Sequence, residues 1–294
     1  MKEYAYYPGC SLKGSAENYE NSLFKVFKVL EIDLEELEDW NCCGATLFYS
    51  TDELKAYGLS ARNLALAEQT GKDIIAPCSA CYHTLKKTQK RLRENSSDRE
   101  KVNRALEQVG LDYRDCVEVK HPLEVVIEVI GLEKIKKKIE GGLEDLKIAP
   151  YYGCLFARPH GVGDPHFPNY MDQLIDAIGG EVIDYPVKTR CCGGLQSYIY
   201  REAGLELIYI LLNEAERREA DAIMTLCPFC HLNLEILQKE CRKSYDLHSQ
   251  LPIVYFTQLL GLSLGIDERD LEFSKSVIPL DQILSKMEGI KSEQ

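Results

Sequence analysis

The chain contains two adjacent cysteines in the stretch Asn41-Cys42-Cys43-Gly44, and a second such pair follows 149 positions later in Arg190-Cys191-Cys192-Gly193. Each pair belongs to a set of five cysteines with one layout: a single cysteine, the adjacent pair, and then a Cys-x-x-Cys motif. The two sets are Cys10, Cys42, Cys43, Cys78 and Cys81, and Cys154, Cys191, Cys192, Cys227 and Cys230. Because four positions of the two sets superpose at one offset, the pattern indicates an internal duplication.

The boundary between the two predicted units is placed at a pair of glycines. Gly141 and Gly142 follow a lysine-rich helical pattern and interrupt it. We therefore expect a first unit over residues 1–142 and a second, similar unit over residues 143–294. The two remaining cysteines, Cys116 and Cys241, have no counterpart at the repeat offset, and we assign them no role.

Most of the motif cysteines follow short runs that are typical of buried strands. Glu3-Tyr4-Ala5-Tyr6-Tyr7 precedes Cys10, and Ala222-Ile223-Met224-Thr225-Leu226 runs directly into Cys227. Amphipathic helical patterns lie between these runs, and such alternation predicts an α/β fold with a parallel sheet in each unit. Since ligand sites in these sheets gather beyond the carboxyl ends of the strands, we expect the five cysteines of each unit to converge there.

Composition limits the possible classes of function. The 294 residues carry a net charge of −12, which argues against nucleic-acid binding because phosphate contacts need a basic surface. No apolar run is long enough to cross a bilayer, and Met1-Lys2-Glu3-Tyr4 lacks the layout of a signal peptide. We therefore expect a cytoplasmic protein without direct membrane insertion. In a reducing compartment the 12 cysteines are expected to be metal ligands or redox groups.

Three kinds of site compete for the five cysteines of a unit. A structural zinc ion takes four tetrahedral ligands, and neighbouring cysteines rarely bind one small ion together because their side chains diverge. A dithiol redox centre at the Cys-x-x-Cys motif leaves three cysteines of each set without a task. An iron–sulfur cluster contains several irons that each need a thiolate, and an adjacent pair can serve two of them. The pattern favours a cluster, and the fifth cysteine points to an unusual one.

The doubled pattern resembles the cysteine-rich CCG domains in the B subunit of heterodisulfide reductase. Two segments are especially similar to that protein, Pro150-Tyr151-Tyr152-Gly153-Cys154 and Tyr185-Pro186-Val187-Lys188-Thr189-Arg190-Cys191-Cys192-Gly193-Gly194. The resemblance implies two noncubane [4Fe-4S] clusters, each held by the five cysteines of one set. It also implies reduction of the coenzyme M–coenzyme B heterodisulfide, a reaction of methanogenesis, in a complex with a flavin-containing A subunit and a ferredoxin-like C subunit.

Three hypotheses on function follow from these observations. In the first, a disulfide is cleaved between the two clusters and each half captures one thiolate, since a disulfide has two sulfurs and needs two electrons. In the second, the clusters relay electrons within another multi-subunit oxidoreductase. In the third, zinc stabilises a scaffold without a redox task.

Four further side chains lie close to the cysteine motifs. His83 and His231 follow the two Cys-x-x-Cys motifs and are candidate proton donors, although capping of a helix end or packing is the more common role of a histidine in such a position. Lys188 and Arg190 precede the second adjacent pair. They are candidates for attracting an anionic substrate, or for surface ion pairs.

Overall fold

Each unit of the chain contains a four-stranded parallel sheet in the computed structural model, which describes residues 2–45, 47–144, 146–159, 161, 163–281 and 283–286. The first sheet has the spatial order β2-β1-β3-β4 and contains β1 (Lys2–Tyr6), β2 (Ile32–Glu36), β3 (Ile74–Ile75) and β4 (Val119–Lys120). The second has the order β6-β5-β7-β8 and contains β5 (Lys147–Tyr151), β6 (Glu181–Val182), β7 (Ala222–Thr225) and β8 (Ile253–Tyr255). The equivalent orders confirm the predicted α/β class with two similar parallel-sheet units.

Helices connect the strands and cover the sheets. Those of the first unit are α1 (Gly9–Leu12), α2 (Glu17–Val29), α3 (Leu47–Thr51), α4 (Glu53–Thr70), α5 (Ser79–Glu94), α6 (Ser96–Leu106), α7 (Pro122–Glu124), which continues as a π-helix over Val125–Ile130, and α8 (Leu132–Lys136). Those of the second are α9 (Gly153–Ala157), α10 (Tyr170–Ala177), α11 (Gln196–Ile199), α12 (Arg201–Arg217), α13 (Pro228–Ile236), α14 (Gln238–Ser244) and α15 (Phe256–Ser263). Short 3₁₀ helices occur at Glu107–Val109 and Phe273–Lys275.

The strand order explains where the cysteines meet. In each sheet the chain leaves the first strand in one direction and returns to the third strand on its other side, so a crevice opens between these two central strands. Cys10 follows β1, and Cys78 follows β3, at the carboxyl ends that flank this crevice. Cys154 and Cys227 occupy the equivalent positions after β5 and β7.

The two units are packed together by helices that cross between them. Helix α15 of the second unit lies against α2 of the first, and α10 lies against α7 and α8. At the first contact the hydroxyls of Ser22 and Thr257 are 2.7 Å apart, and the rings of Tyr19 and Tyr255 stack with their centroids 4.2 Å apart. Apolar residues of both units form one buried cluster. The two sheets lie on either side of residue 142 in the chain, but because of this shared core the division at 142 and 143 stays a prediction.

Within the residues that the structure describes, no helix combines the length and the apolar character that crossing a bilayer requires.

Candidate functional site

All ten motif cysteines line a single cavity of about 260 Å³ between the two units. The sequence predicts one site per unit, and the structure brings the two sites together at one cavity. Besides the cysteines, its lining consists of Ser11, Ala45, Ser79, Ala80, Tyr152, Gly153, Leu155, Gly194, Leu195 and Phe229. None of these ten described side chains carries a charge, so the thiols are the reactive groups that face the cavity.

The thiols form a continuous chain of contacts. In the first unit the hydrogen-bonded order is Cys10, Cys42, Cys43, Cys81 and Cys78. In the second unit it is Cys154, Cys191, Cys192, Cys230 and Cys227, and the sulfurs of Cys192 and Cys230 are 3.5 Å apart. The two rows join where Cys78 hydrogen-bonds to Cys227. The two units thus touch at this cavity through the first cysteines of the two Cys-x-x-Cys motifs.

The protonation of the thiols follows from these contacts. Hydrogen bonds from Cys10 and then Cys43 lower the pKa of Cys42 to about 2, and equivalent bonds lower the pKa of Cys191 to about 3. The hydrogen bond to Cys42 in turn raises the pKa of Cys43 to about 12. Cys42 and Cys191 thus ionise readily, and the negative charge of each opposes ionisation of its neighbours. Hydrogen bonds from neighbouring thiols also lower the pKa of Cys227 well below its usual range. Full ionisation of either set would need a cationic partner.

The donor set fits a polynuclear iron–sulfur group. Each unit offers five soft thiol donors in an apolar cavity, and such ligands select clusters and soft metals. Among the described residues, no group of three or more His, Cys, Asp or Glu side chains could hold one metal ion. A cluster distributes its thiolates over several irons, so a row of thiols rather than a tetrahedral cage suits it.

A tyrosine positions the adjacent cysteine pair in the same way in both units. The buried hydroxyl of Tyr7 donates to the carbonyl oxygen of Asn41 at 2.8 Å, and Tyr151 donates to that of Arg190 at 2.8 Å. These carbonyls belong to the residues just before the adjacent cysteine pairs. The strand ends therefore hold the two Cys-Cys loops.

The glycine before each single cysteine allows a close approach of backbone to sulfur. Gly9 has φ +67°, and a Cβ atom there would lie 2.9 Å from the sulfur of Cys81. Gly153 has φ +68°, and its Cβ would lie 3.0 Å from the sulfur of Cys230. Sequence reasoning gave neither glycine a function, although the recurrence of Gly-Cys at the start of both sets was a usable signal.

The two sides of the cavity are not equivalent. Ser11 in the first unit corresponds to Leu155 in the second, and Ala80 corresponds to Phe229, and all four line the cavity. Small side chains on the first side leave Cys10 and Cys42 exposed. On the second side the corresponding cysteines, Cys154 and Cys191, are only partly exposed. Solvent therefore reaches the first set more easily than the second.

The predicted proton donors lie outside this lining. His83 is half-buried on α5, and it is not among the described residues that line the cavity. His231 is 4% exposed, its ring stacks on Tyr255 at 4.0 Å, and its Nε2 lies 3.3 Å from a carboxylate oxygen of Glu235. It lines a different cavity, of about 420 Å³, near Lys275. Proton donation by either histidine stays a prediction.

The remaining sequence candidates have other surroundings. Lys188 forms an ion pair with Asp172, with 2.9 Å between Nζ and Oδ1, and its Nζ also lies 5.5 Å from the Tyr152 ring centroid. Arg190 is exposed, and its carbonyl oxygen is the acceptor for Tyr151. Lys188 therefore follows the ion-pair alternative, while an electrostatic role for Arg190 stays a prediction.

Taken together, the fold and the site define a class of protein: a duplicated parallel α/β protein that presents ten thiols at the junction of its two units. The family described as "CCG: Cysteine-rich domain" matches the chain twice, over residues 4–86 and 148–235. The chain belongs to this cysteine-rich CCG domain family. The resemblance to the B subunit of heterodisulfide reductase is confirmed at the level of the family.

Two relatives match over nearly their whole length. The chain is 31% identical to the 8-methylmenaquinol:fumarate reductase membrane anchor subunit of Wolinella succinogenes, over 95% of this chain and 98% of the relative. It is 30% identical to the B subunit of the ferredoxin/F(420)H(2)-dependent CoB-CoM heterodisulfide reductase of Methanosarcina acetivorans, over 99% of both chains. Both relatives are named as subunits of reductases.

The fold also occurs in a solved structure. The crystal structure of a hypothetical protein from Helicobacter pylori superposes with a TM-score of 0.77 at 14% identity. The match covers 95% of this chain and 52% of that one. At this identity the similarity concerns the fold alone.

Proposed function

We propose that this chain is the catalytic subunit of a heterodisulfide reductase-type complex, in which it reduces a disulfide to two thiols at two iron–sulfur clusters. The observation that carries the proposal is the single cavity shared by both five-cysteine sets, which touch through Cys78 and Cys227. A disulfide bond joins two sulfurs, and a site that acts on both needs two reactive centres side by side. The protein provides such a pair of thiol sets.

The residues of the proposed site divide between the two units. Cys10, Cys42, Cys43, Cys78 and Cys81 would hold one cluster, and Cys154, Cys191, Cys192, Cys227 and Cys230 would hold the other. By resemblance both are noncubane [4Fe-4S] clusters. When bound, such clusters supply electrons in one-electron steps.

The reaction balances with two electrons and two protons. A disulfide R–S–S–R′ takes up the two electrons and the two protons, its S–S bond breaks, and the thiols R–SH and R′–SH leave. The chain's own contribution is to hold the two thiol sets next to each other, and to line the cavity with uncharged side chains. His83 and His231 remain the proposed proton donors, and by resemblance the substrate is the coenzyme M–coenzyme B heterodisulfide.

The proposed reaction requires an electron supply from other proteins. Both relatives described above are subunits of reductases. We place the chain in the cytoplasm, in a complex with a flavin-containing A subunit and a ferredoxin-like C subunit. Any attachment to a membrane would then run through a partner.

A second function is supported by the Wolinella relative. That protein is a subunit of a fumarate reductase, and it is as similar to this chain as the Methanosarcina protein. In this alternative the two thiol sets hold clusters that relay electrons to a partner, and no disulfide enters the cavity.

The experiment that tests the proposal begins with protein purified without oxygen. Iron and acid-labile sulfide are measured first, and we expect both in quantity, whereas zinc alone would refute a cluster. The reduced protein is then mixed with a disulfide, and released thiols are counted while the EPR spectrum is recorded. Two thiols per two electrons, with a disulfide-dependent EPR signal, support catalysis. An unchanged spectrum without thiol release supports the relay function instead.

A further inference from the structure

His121 lies between the two units, where no cysteine motif marks it. It follows β4, begins the turn into α7, and is completely buried. The backbone N–H of Leu123 donates to its Nδ1 at 3.2 Å, and its own backbone N–H donates to the Glu124 carboxylate at 2.7 Å. Because Nδ1 accepts a hydrogen bond, the ring of a neutral His121 carries its hydrogen on Nε2.

That Nε2–H group faces two carbonyl oxygens from different units. It lies 2.8 Å from the oxygen of Pro77 and 3.2 Å from the oxygen of Leu226. Carbonyl oxygens only accept, so the imidazole donates a shared hydrogen bond to both. Pro77 directly precedes Cys78, and Leu226 directly precedes Cys227. One side chain thus joins the backbones that carry the two touching thiols.

The surroundings keep the ring in place. It packs against Phe156 at 5.0 Å and Tyr82 at 5.8 Å between centroids. Burial lowers the pKa of His121 to about 4, so the ring stays neutral above that pH and remains a donor to both carbonyls. One of the two carbonyls also has a second donor: the hydroxyl of Tyr19 donates to the Leu226 oxygen at 3.3 Å.

We propose that His121 is a positioning residue that sets the separation of the two cluster sites, by tying the carbonyl before Cys78 to the carbonyl before Cys227. The inference rests on the proposed function in so far as both sites hold clusters. The ligands themselves come from other residues, so removing the tie leaves each set of five cysteines complete. Loss of the His121 hydrogen bonds changes only the position of one unit relative to the other at the point where the two sites meet.

Three variants separate this role from general stability. His121→Phe keeps an aromatic ring but removes the donor, and His121→Gln keeps an amide donor in its place. Tyr19→Phe keeps the stacked ring and removes only the bond to Leu226. We expect His121→Phe to retain its iron and sulfide and to lose the magnetic interaction between the two reduced clusters in EPR, and His121→Gln to restore that interaction.

Hydrogen–deuterium exchange provides a readout that does not depend on metal. In His121→Phe we expect the exchange rate to rise about fivefold in two segments, residues 74–82 and residues 222–231. A factor of about five corresponds to the loss of one hydrogen bond of ordinary strength. Tyr19→Phe should raise it only in residues 222–231, and this prediction holds even if His121→Phe does not fold. Unchanged exchange in both segments of a folded His121→Phe, or an EPR interaction equal to wild type, would overturn the proposal. Absence of iron from the wild type would instead refute the proposed function and leave the exchange result to decide on His121.

Discussion

Replacing Gly9 by alanine tests how closely the backbone must approach the sulfur of Cys81. The alanine would hold a backbone φ of +67°, in the left-handed region, which costs an L-residue about 1–2 kcal/mol. Its Cβ would also lie 2.9 Å from the Cys81 sulfur, whereas ordinary non-bonded contacts are about 3.5–4.0 Å. The sulfur must therefore move by roughly half an ångström or more.

That displacement has little room, because Cys81 is 5% exposed and hydrogen-bonds to both Cys43 and Cys78. We expect Gly9→Ala to lose the cluster of the first unit and to retain that of the second. Iron and labile sulfide per chain should then fall by about half, since each proposed cluster has its own five cysteine ligands. Gly153→Ala should have the same effect on the second unit, because its Cβ would lie 3.0 Å from the Cys230 sulfur.

Gly71 provides a matched control for the backbone strain. Its φ is also +67°, at the end of α4, and an added Cβ would meet no atom within 4 Å. In a urea titration Gly71→Ala should lose only the 1–2 kcal/mol or so of unfolding free energy that the left-handed backbone costs, and it should keep its full iron content. The reasoning is refuted if Gly9→Ala retains wild-type iron, or if Gly71→Ala loses as much iron as Gly9→Ala.

Three further predictions concern the thiols and the unequal sides of the cavity. In metal-free protein at about pH 5, iodoacetamide should modify Cys42 before the exposed Cys116. A pKa near 2 leaves Cys42 a thiolate, while Cys116, whose pKa is raised above 9.0, stays protonated. Peptide mass spectrometry that showed Cys116 modified first would contradict this prediction. Cys42→Ser should lose about half of the iron and Cys116→Ser none by metal analysis, and equal losses would remove Cys42 from the ligand set. Phe229→Ala should lower the KM for a bulky disulfide and Ala80→Phe should raise that KM, while the KM for a small disulfide should change little in either variant. Equal KM values across the variants would show that these side chains do not face the substrate.

The recurrence of the cysteine motifs contained most of the information on the fold. Most motif cysteines follow a strand, and the alternation of strands with helices leaves a parallel sheet as the arrangement that buries the apolar runs. Placement of Cys10 and Cys78 at neighbouring strand ends was predictable because the carboxyl ends of parallel strands meet at one edge. The convergence of each set of five followed from local pattern and general rules of sheet topology.

The packing of one unit against the other was not predictable in this way. Spacing along the chain does not report which surfaces of two units meet, and α15 packs on α2 through side chains far apart in sequence. The position of His121 between the two units was not predictable from the sequence for the same reason. The position that corresponds to it at the start of α15 is Tyr255, so the residue has no repeat to mark it.

By itself, the sequence determined that this protein is a duplicated α/β chain with two equivalent sets of five thiols. The spacing of the cysteines indicates the duplication, and the strand-like runs just before most of them indicate their position at strand ends. Only the tertiary structure decided that both sets line one cavity, that Cys78 contacts Cys227, and that the two sides of the cavity differ in bulk. These properties arise from contacts between units, where a single buried imidazole reaches carbonyls 149 positions apart in the chain.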